Sequence, residues 1–427
     1  MTGIREMFED AAEQPPPTRL LADEVYGAGR RRWRRRRAVL AGGGAAVATS
    51  LALVIAALVL PGGAGTPVAG DPSPGTTAAG DRGVLPGDGI VQWVGAADVR
   101  HSYAALSTCS PERQPCRKTV WQLVGSDDGG RNWTVRGAPV DVAALAVVGP
   151  DVLIAETLNP ATPGAPTLMS SRDGGRSWQA PQAGPEVSTA PPGHPVLCRP
   201  VPGTDSQSSV APALRSCGLY AFDPASNRLS PLANRPSLVL GNLLVVPGAS
   251  GRLWAPGLDQ ATGRPAVAIS GDGGRTWSSH VFTDGPACGT DGCVAPKVTP
   301  GPGTDGYAVI STFSEQAVHR YTAATGWRRA TGVDALPLAD SDLGSFVTAD
   351  GSHVLYQGSG RDGSGGGYRF WAARGGVSGY RPVELDGLPS LADPVGRTVD
   401  GLYYARDPAT GIHGSTDGWH WFPLSRR

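Results

Sequence analysis

Only two of the 37 basic residues in this 427-residue chain are lysine, Lys118 and Lys297, and the formal net charge is zero. A chain without excess charge has no global attraction for nucleic acid, so no nucleic-acid partner is expected. Past residue 62 no long stretch carries a helical apolar period, which argues against a helical bundle. Glutamate is scarce there too: Glu112, Glu156, Glu186, Glu315 and Glu384 are all that remain. The seven histidines are scattered at 101, 194, 280, 319, 353, 413 and 420, with no His-Glu-x-x-His zinc motif. No Gly-x-Ser-x-Gly elbow sits on a strand–helix unit. The glycine-rich run from Ser359 to Gly367 lacks the Gly-Lys-Ser/Thr ending of a phosphate loop. No metal, cofactor or catalytic residue is therefore assigned.

What the chain has is glycine (61) and proline (39), set between short apolar runs. That texture predicts an all-β fold. Within it one phrase recurs: Ser126-Asp-Asp-Gly-Gly-Arg-Asn-Trp133, Ser171-Arg-Asp-Gly-Gly-Arg-Ser-Trp178 and Ser270-Gly-Asp-Gly-Gly-Arg-Thr-Trp277. A shortened copy, Ser415-Thr-Asp-Gly-Trp-His-Trp421, lies near the end. The physics is local. Glycine after the aspartate reaches φ > 0 without a Cβ clash. Ser and Asp can hydrogen-bond the turn's own backbone, and Trp can plug the turn from below. The pattern residues are Ser126, Asp128, Gly130 and Trp133; Ser171, Asp173, Gly175 and Trp178; Ser270, Asp272, Gly274 and Trp277; and Ser415, Asp417 and Trp421.

The four aspartates are separated by 45, 99 and 145 residues. These are near one, two and three units of about 48, a period typical of repeat architectures. The spacing predicts worn copies of the turn at Tyr220–Asn227, Tyr321–Trp327 and Phe370–Tyr380, seven turns in all. Strands are expected at Gly89–Val94, His101–Ser107, Lys118–Gly125 and Trp133–Arg136 in the first unit. Others are expected at Ala143–Val148, Val152–Thr157, Ser237–Val246, Gly251–Ala255, Leu343–Thr348 and His353–Gln357, with Asp350-Gly351 as a hairpin turn. Val399–Tyr404 leads into the last turn, and Trp421–Leu424 follows it as an outer strand.

The phrase resembles the Asp-box (BNR) repeat of sialidases and related β-propellers. That resemblance implies a seven-bladed propeller over residues 89–427, with a six-bladed ring as the alternative. It also implies that the aspartates are structural and lie on blade hairpins away from any central site. A sialidase needs an arginine cluster, a Tyr nucleophile with a Glu partner, and an Asp acid/base. Arg100, Arg113 and Arg117, ahead of the first repeat, lie in no Arg-Ile-Pro-like motif. Tyr380-Arg381-Pro382 resembles one but falls in the sixth unit. Glu156 ends a strand and is the glutamate best placed to face a central pocket. Trp93, Trp121, Trp254 and Trp371 could stack on sugars or fill the core between blades. With complete first and last blades, closure is expected through blade packing rather than strand exchange.

The six cysteines fall into the local pairs Cys109–Cys116, Cys198–Cys217 and Cys288–Cys293. Nearest-neighbour disulfides are expected, one within a blade each, over metal binding.

The N-terminal part differs in kind. Residues 1–29 are polar with two short helical patterns. Seven arginines crowd Arg30–Arg37, and Ala38–Leu60 is uncharged over 23 residues. About 20 apolar residues span a bilayer, and flanking arginines hold their side in the cytoplasm. A single-pass anchor is expected over 38–60 and a cytoplasmic tail over 1–37, with a cleaved signal as the alternative. A flexible Gly/Pro-rich linker follows over 61–88, and the repeats lie outside the cytoplasm. The tail's layout resembles cytosolic heads of actinobacterial membrane proteins, some associated with sigma factors, and suggests a possible cytosolic partner for residues 1–29. The expected role is a membrane-anchored binding or scaffold propeller for a polypeptide or glycan. An exo-acting, sialidase-like glycoside hydrolase and a signalling receptor are the alternatives.

Overall fold

The computed structural model describes residues 82–426, apart from 88, 108–120, 139–141, 158–166, 201–216, 241–244, 249, 286–293, 312–314, 334–335, 337–342, 359–366, 375–378 and 399. The tail, the arginine cluster and the 38–60 segment lie outside the described residues. So do Glu112, Arg113, Arg117, Cys109, Cys116, Cys288 and Cys293. Among the described residues no helix is long and apolar enough to cross a membrane.

Seven β-sheets follow one another along the chain and form a seven-bladed β-propeller, not a six-bladed one. Blade 1 is Ile90–Ala96 (β1), Ser102–Ser107 (β2), Trp121–Ser126 (β3) and Thr134–Val135 (β4). Blade 2 is Val142–Val147 (β5), Leu153–Thr157 (β6) and Thr167–Ser171 (β7), its fourth strand reduced to the bridge Ser170–Gln179. Gln182–Ala183 (β8) joins blade 3, built on Val196–Pro200 (β9), Cys217–Asp223 (β10) and Arg228–Pro231 (β11). Blade 4 holds Leu238–Leu240 (β12), Val246–Pro247 (β13), Leu253–Asp259 (β14), Pro265–Ser270 (β15) and Ser278–Val281 (β16). Blade 5 is Lys297–Pro300 (β17), Gly306–Ser311 (β18), Gln316–Thr322 (β19) and Gly326–Arg329 (β20). Blade 6 is Leu343–Val347 (β21), His353–Gly358 (β22), Tyr368–Ala373 (β23) and Arg381–Val383 (β24). Blade 7 is Asp393–Arg397 (β25), Tyr403–Asp407 (β26), Gly411–Ser415 (β27) and Trp421–Pro423 (β28).

The inner strands read as nearly continuous apolar runs because both faces of each blade are buried. Side chains alternate faces along a strand, so neighbours in sequence serve different cores. On β2, Ala104 and Leu106 pack toward blade 7, whereas Tyr103 and Ala105 pack toward blade 2. Seven such cores occur, one per blade-to-blade interface, including one joining blade 7 to blade 1. The ring is closed by packing. First strands touch around the middle, β1 against β5 and β25, and β17 against β13 and β21.

Closure has a second component. Leu85 donates its N–H to the Arg426 carbonyl (2.9 Å), and Arg426 donates back to Gly83 (3.0 Å). Val84 thereby forms a parallel bridge with Arg426, and Leu85 is buried in the 7/1 core. The last residues of the expected 61–88 linker thus belong to the propeller. Leu85 is what this stretch buries; Val84 beside it stays exposed.

Blade 3 also departs from the pattern. No inner first strand precedes β9. The incoming chain runs instead along the blade's outer edge, with β8 parallel to β11 and Val187 bridging Leu232. Prolines at 181, 185, 191, 192 and 195 remove the N–H groups that an interior ladder strand would need. β9 takes the inner position, and its Val196 carbonyl accepts from Val245 of blade 4. A disulfide, Cys198–Cys217, ties β9 to β10. In blade 4 the expected 237–246 strand is split into β12 and β13, both pairing with β14.

Candidate functional site

The four repeats fold as one device between the third and fourth strands of their blades. In blade 4, Ser270 Oγ donates to Asp272 Oδ1 (2.8 Å) and accepts from the buried Gly274 N–H (2.8 Å). Asp272 Oδ1 also accepts from the Thr276 N–H (2.9 Å), and Oδ2 accepts from Thr276 Oγ1 (2.6 Å). Ser126 and Asp128 do the same with Gly130 and Asn132, and Ser171 and Asp173 with Gly175 and Ser177. Ser415 and Asp417 use Gly418 and His420, whose Nδ1 lies 2.6 Å from Asp417 Oδ2. The residue before the Trp is therefore a fixed partner of the aspartate, a role the Ser-x-Asp-x-Gly-x-x-Trp pattern left open. Its signal was present: Asn, Ser and Thr are small side-chain donors. Gly130 is required for a separate reason. It sits at φ 84°, and a Cβ there would lie 2.1 Å from the Leu424 carbonyl oxygen.

These carboxylates are committed to their turns. Side-chain and backbone hydrogen bonds from Thr276 hold Asp272 down to about 2. Burial pushes Asp417 up, but the donors at His420, Trp419 and Ser415 outweigh it and bring it to about 2. Asp128 and Asp173 are lowered against burial in the same way. Groups held charged by their own backbone are poor proton donors.

Other candidates are also spoken for. Trp93, Trp254 and Trp371 are buried between blades, and Trp121 is half-buried at the 1/2 core. Tyr380 is buried, with its hydroxyl 2.6 Å from His353 Nδ1. His353, stacked on Tyr307 at 3.8 Å, has its pKa driven to about 3 by burial. Glu156 lies on β6, opposite Ala144 and Leu168, and is half-buried. Glu186, Glu315, Glu384 and Arg100 are exposed. The buried Arg136 pairs with Asp127 (2.7 Å) at the blade 1/2 boundary. Among the described residues no group of three His, Cys, Asp or Glu could hold a metal ion.

Among the described residues, a cleft of about 540 Å³ opens on the rim between blades 4 and 5. The tryptophan that follows the turn is buried in blade 1 (Trp133, against Gly83) and blade 7 (Trp421, bonded to Asp386). Trp178 and Trp277 are half-buried against the 1/2 and 3/4 cores, whereas the half-buried Trp327 of blade 5 packs on the 4/5 core and lines the cleft. Tyr321 packs edge-on against Trp254 and Trp327 at 5.4 Å each, and His280 stacks on Trp327 at 6.1 Å. Arg252 lies over the Tyr321 ring at 5.2 Å and donates from Nη1 to the Thr304 carbonyl (2.9 Å). Burial lowers the His280 pKa, only partly offset by Asp284, which keeps the imidazole neutral near pH 7. Exposed Ser278 and Ser279 complete one wall, and no Asp or Glu lines the cleft. It offers aromatic surface, hydroxyl groups and one cation. It holds no pair of groups suited to acid–base catalysis.

No protein-family model and no curated protein matches the sequence. Several solved propeller structures are similar to it. The β-propeller domain of the trilobed protease of Pyrococcus furiosus has a TM-score of 0.45 and 9% identity, over 79% of this chain and 95% of that one. A prolyl endopeptidase has a TM-score of 0.48 and 11% identity, over 79% of this chain and 48% of that one, about half its length. The acylaminoacyl peptidase of Pyrococcus horikoshii has a TM-score of 0.42 and 9% identity, over 76% and 51%. Likeness this slight carries no information about activity.

Proposed function

We propose that this chain is a membrane-anchored propeller of the Asp-box type that binds an extended ligand, a polypeptide or a glycan, outside the cytoplasm. The observation that carries the binding role is the rim cleft: the half-buried rings of Tyr321 and Trp327, beside hydroxyls, an imidazole and a guanidinium. Concave sites of roughly 300–1,000 Å³ lined by aromatic side chains and a few polar groups are the usual form of ligand sites. The Asp-box assignment rests on the repeat and its turn geometry. The anchor and its orientation rest on the uncharged 38–60 segment behind Arg30–Arg37.

The test of binding is a plug. Ser278→Trp fills the exposed wall on the face turned to blade 5. Panels of oligosaccharides and extended peptides are titrated into the full chain while tryptophan fluorescence is followed. At least one ligand should bind the native chain and fail on Ser278→Trp. Equal binding to both proteins sinks the cleft as the site. The anchor is tested on intact cells. Protease added outside should remove the propeller, and the isolated protein should retain residues before 62. A mature N-terminus near 62 would mean cleavage instead.

A further inference from the structure

We infer that the blade 4/5 cleft takes an acidic polysaccharide, with pyranose rings stacked on Trp327 and Tyr321 and a ring carboxylate held by Arg252. This rests on the binding role proposed above and specifies its ligand. Four features select that chemistry. First, the cleft presents ring surfaces from Tyr321 and Trp327. Aromatic faces carry partial negative charge and attract the weakly positive C–H edges that one side of a pyranose displays. Second, the neighbouring groups are hydroxyls and an imidazole, which can both donate to and accept from sugar hydroxyls.

Third, Arg252 is the one permanent charge in the lining, and the nearby carboxylates are engaged outside it, Asp272 by Thr276 and Asp284 by His319. A guanidinium already placed over Tyr321 repels a cationic ligand, which disfavours an aromatic-cage role for a quaternary ammonium. Fourth, that guanidinium is fixed. One nitrogen is bonded to the Thr304 carbonyl and the plane rests on aromatic rings, which pre-orients the remaining donors for a planar carboxylate. An apolar peptide would use the rings but leave the guanidinium without an anion.

The probes are trimers of galacturonate, glucuronate and mannuronate and their methyl esters. The esters keep the rings and remove the charge. The full chain is purified in detergent, and binding is followed by calorimetry and tryptophan fluorescence at low salt. At least one free-acid trimer should bind, and its ester should bind roughly tenfold more weakly, the scale of one charge-assisted hydrogen bond. Arg252→Gln should abolish the preference for the acid. Because Trp327 packs on the 4/5 core and its removal can disturb folding, a second variant places a like charge on the exposed wall. Ser278→Glu should weaken the acid at least tenfold while leaving the ester within about twofold. The inference is overturned if no trimer binds below about 5 mM, or if acid and ester bind alike in every variant. If an extended peptide then binds and Ser278→Trp blocks it, the cleft remains a binding site and only the glycan assignment falls. If nothing binds the native chain, both fall.

Discussion

Ser270 is fully buried, and its single hydroxyl serves two partners within the blade 4 turn. In Ser270→Ala, the buried Gly274 N–H loses its acceptor and Asp272 loses one donor. A buried unsatisfied donor costs about 1–3 kcal/mol, and hydrogen bonds to charged groups are worth about 1.5–3 kcal/mol. The carboxylate keeps its Thr276 donors and is solvent-exposed, so the second contribution is discounted to its lower end. The expected loss is about 2–4 kcal/mol of unfolding free energy, read from urea titrations at constant slope. Ser126→Ala and Ser171→Ala should lose a similar amount, since their turns repeat the geometry. The sign of the pH effect is fixed by depression of the aspartate. Asp272 titrates near 2 in the folded protein and near the ordinary 3.8 when unfolded. Its contribution is present above about pH 4 and is lost as pH falls through 2. With Ser270 gone the folded pKa rises and this acid-sensitive window narrows. A Ser270→Ala variant within 0.5 kcal/mol of the native chain across that range would refute the latch.

His420 should titrate above 6.5, because its hydrogen bond to Asp417 raises it. Its contribution is then present below 6.5 and is lost as pH rises through the higher folded value, and an NMR titration with a midpoint at or below 6.5 contradicts this. Replacing both Cys198 and Cys217 by serine opens a loop of about 20 residues and should cost about 3 kcal/mol on the chain-entropy scale; an unchanged denaturation midpoint counts against it. Leu85→Ala should cost about 2–4 kcal/mol, because the side chain is buried in the 7/1 core. A surface-like loss of a few tenths would show that the lead-in only drapes over the ring.

Much of the architecture was legible because the turn is built from its own residues. Ser126, Asp128 and Gly130 satisfy one another within five positions, so neither burial nor a distant partner was needed to see a hairpin. The spacing then exposed the worn turns around Asp223 and at Thr322–Gly326, and with them the blade count. Non-local features were not legible. Nothing near Trp277 or Trp133 distinguishes them in sequence. Trp133 is covered by Gly83, some fifty residues upstream in the chain, whereas Trp327 stays half-buried at the cleft. The missing inner strand of blade 3 had a local cue in its five prolines, but where that chain went instead was set by the outer edge of β11. The linker boundary was placed too late because two apolar residues, Val84 and Leu85, are too few to read as an element.

The bridge between Val84 and Arg426 also has a mechanical meaning. The strands there run parallel, and the chain N-terminal to residue 82 leaves from the same seam that closes the ring. Any tension along that chain is therefore applied to the seam first. It is shared between the Leu85–Arg426 and Arg426–Gly83 hydrogen bonds and the Gly83–Gly130 bond to the first repeat turn, before any inner strand is loaded. The 7/1 closure is thus the propeller's mechanical fuse. A pull strong enough to release Gly83–Leu85 would uncover Trp133 and free Arg426 from its bridge, while the cleft between blades 4 and 5, on the other side of the ring, stays as it was.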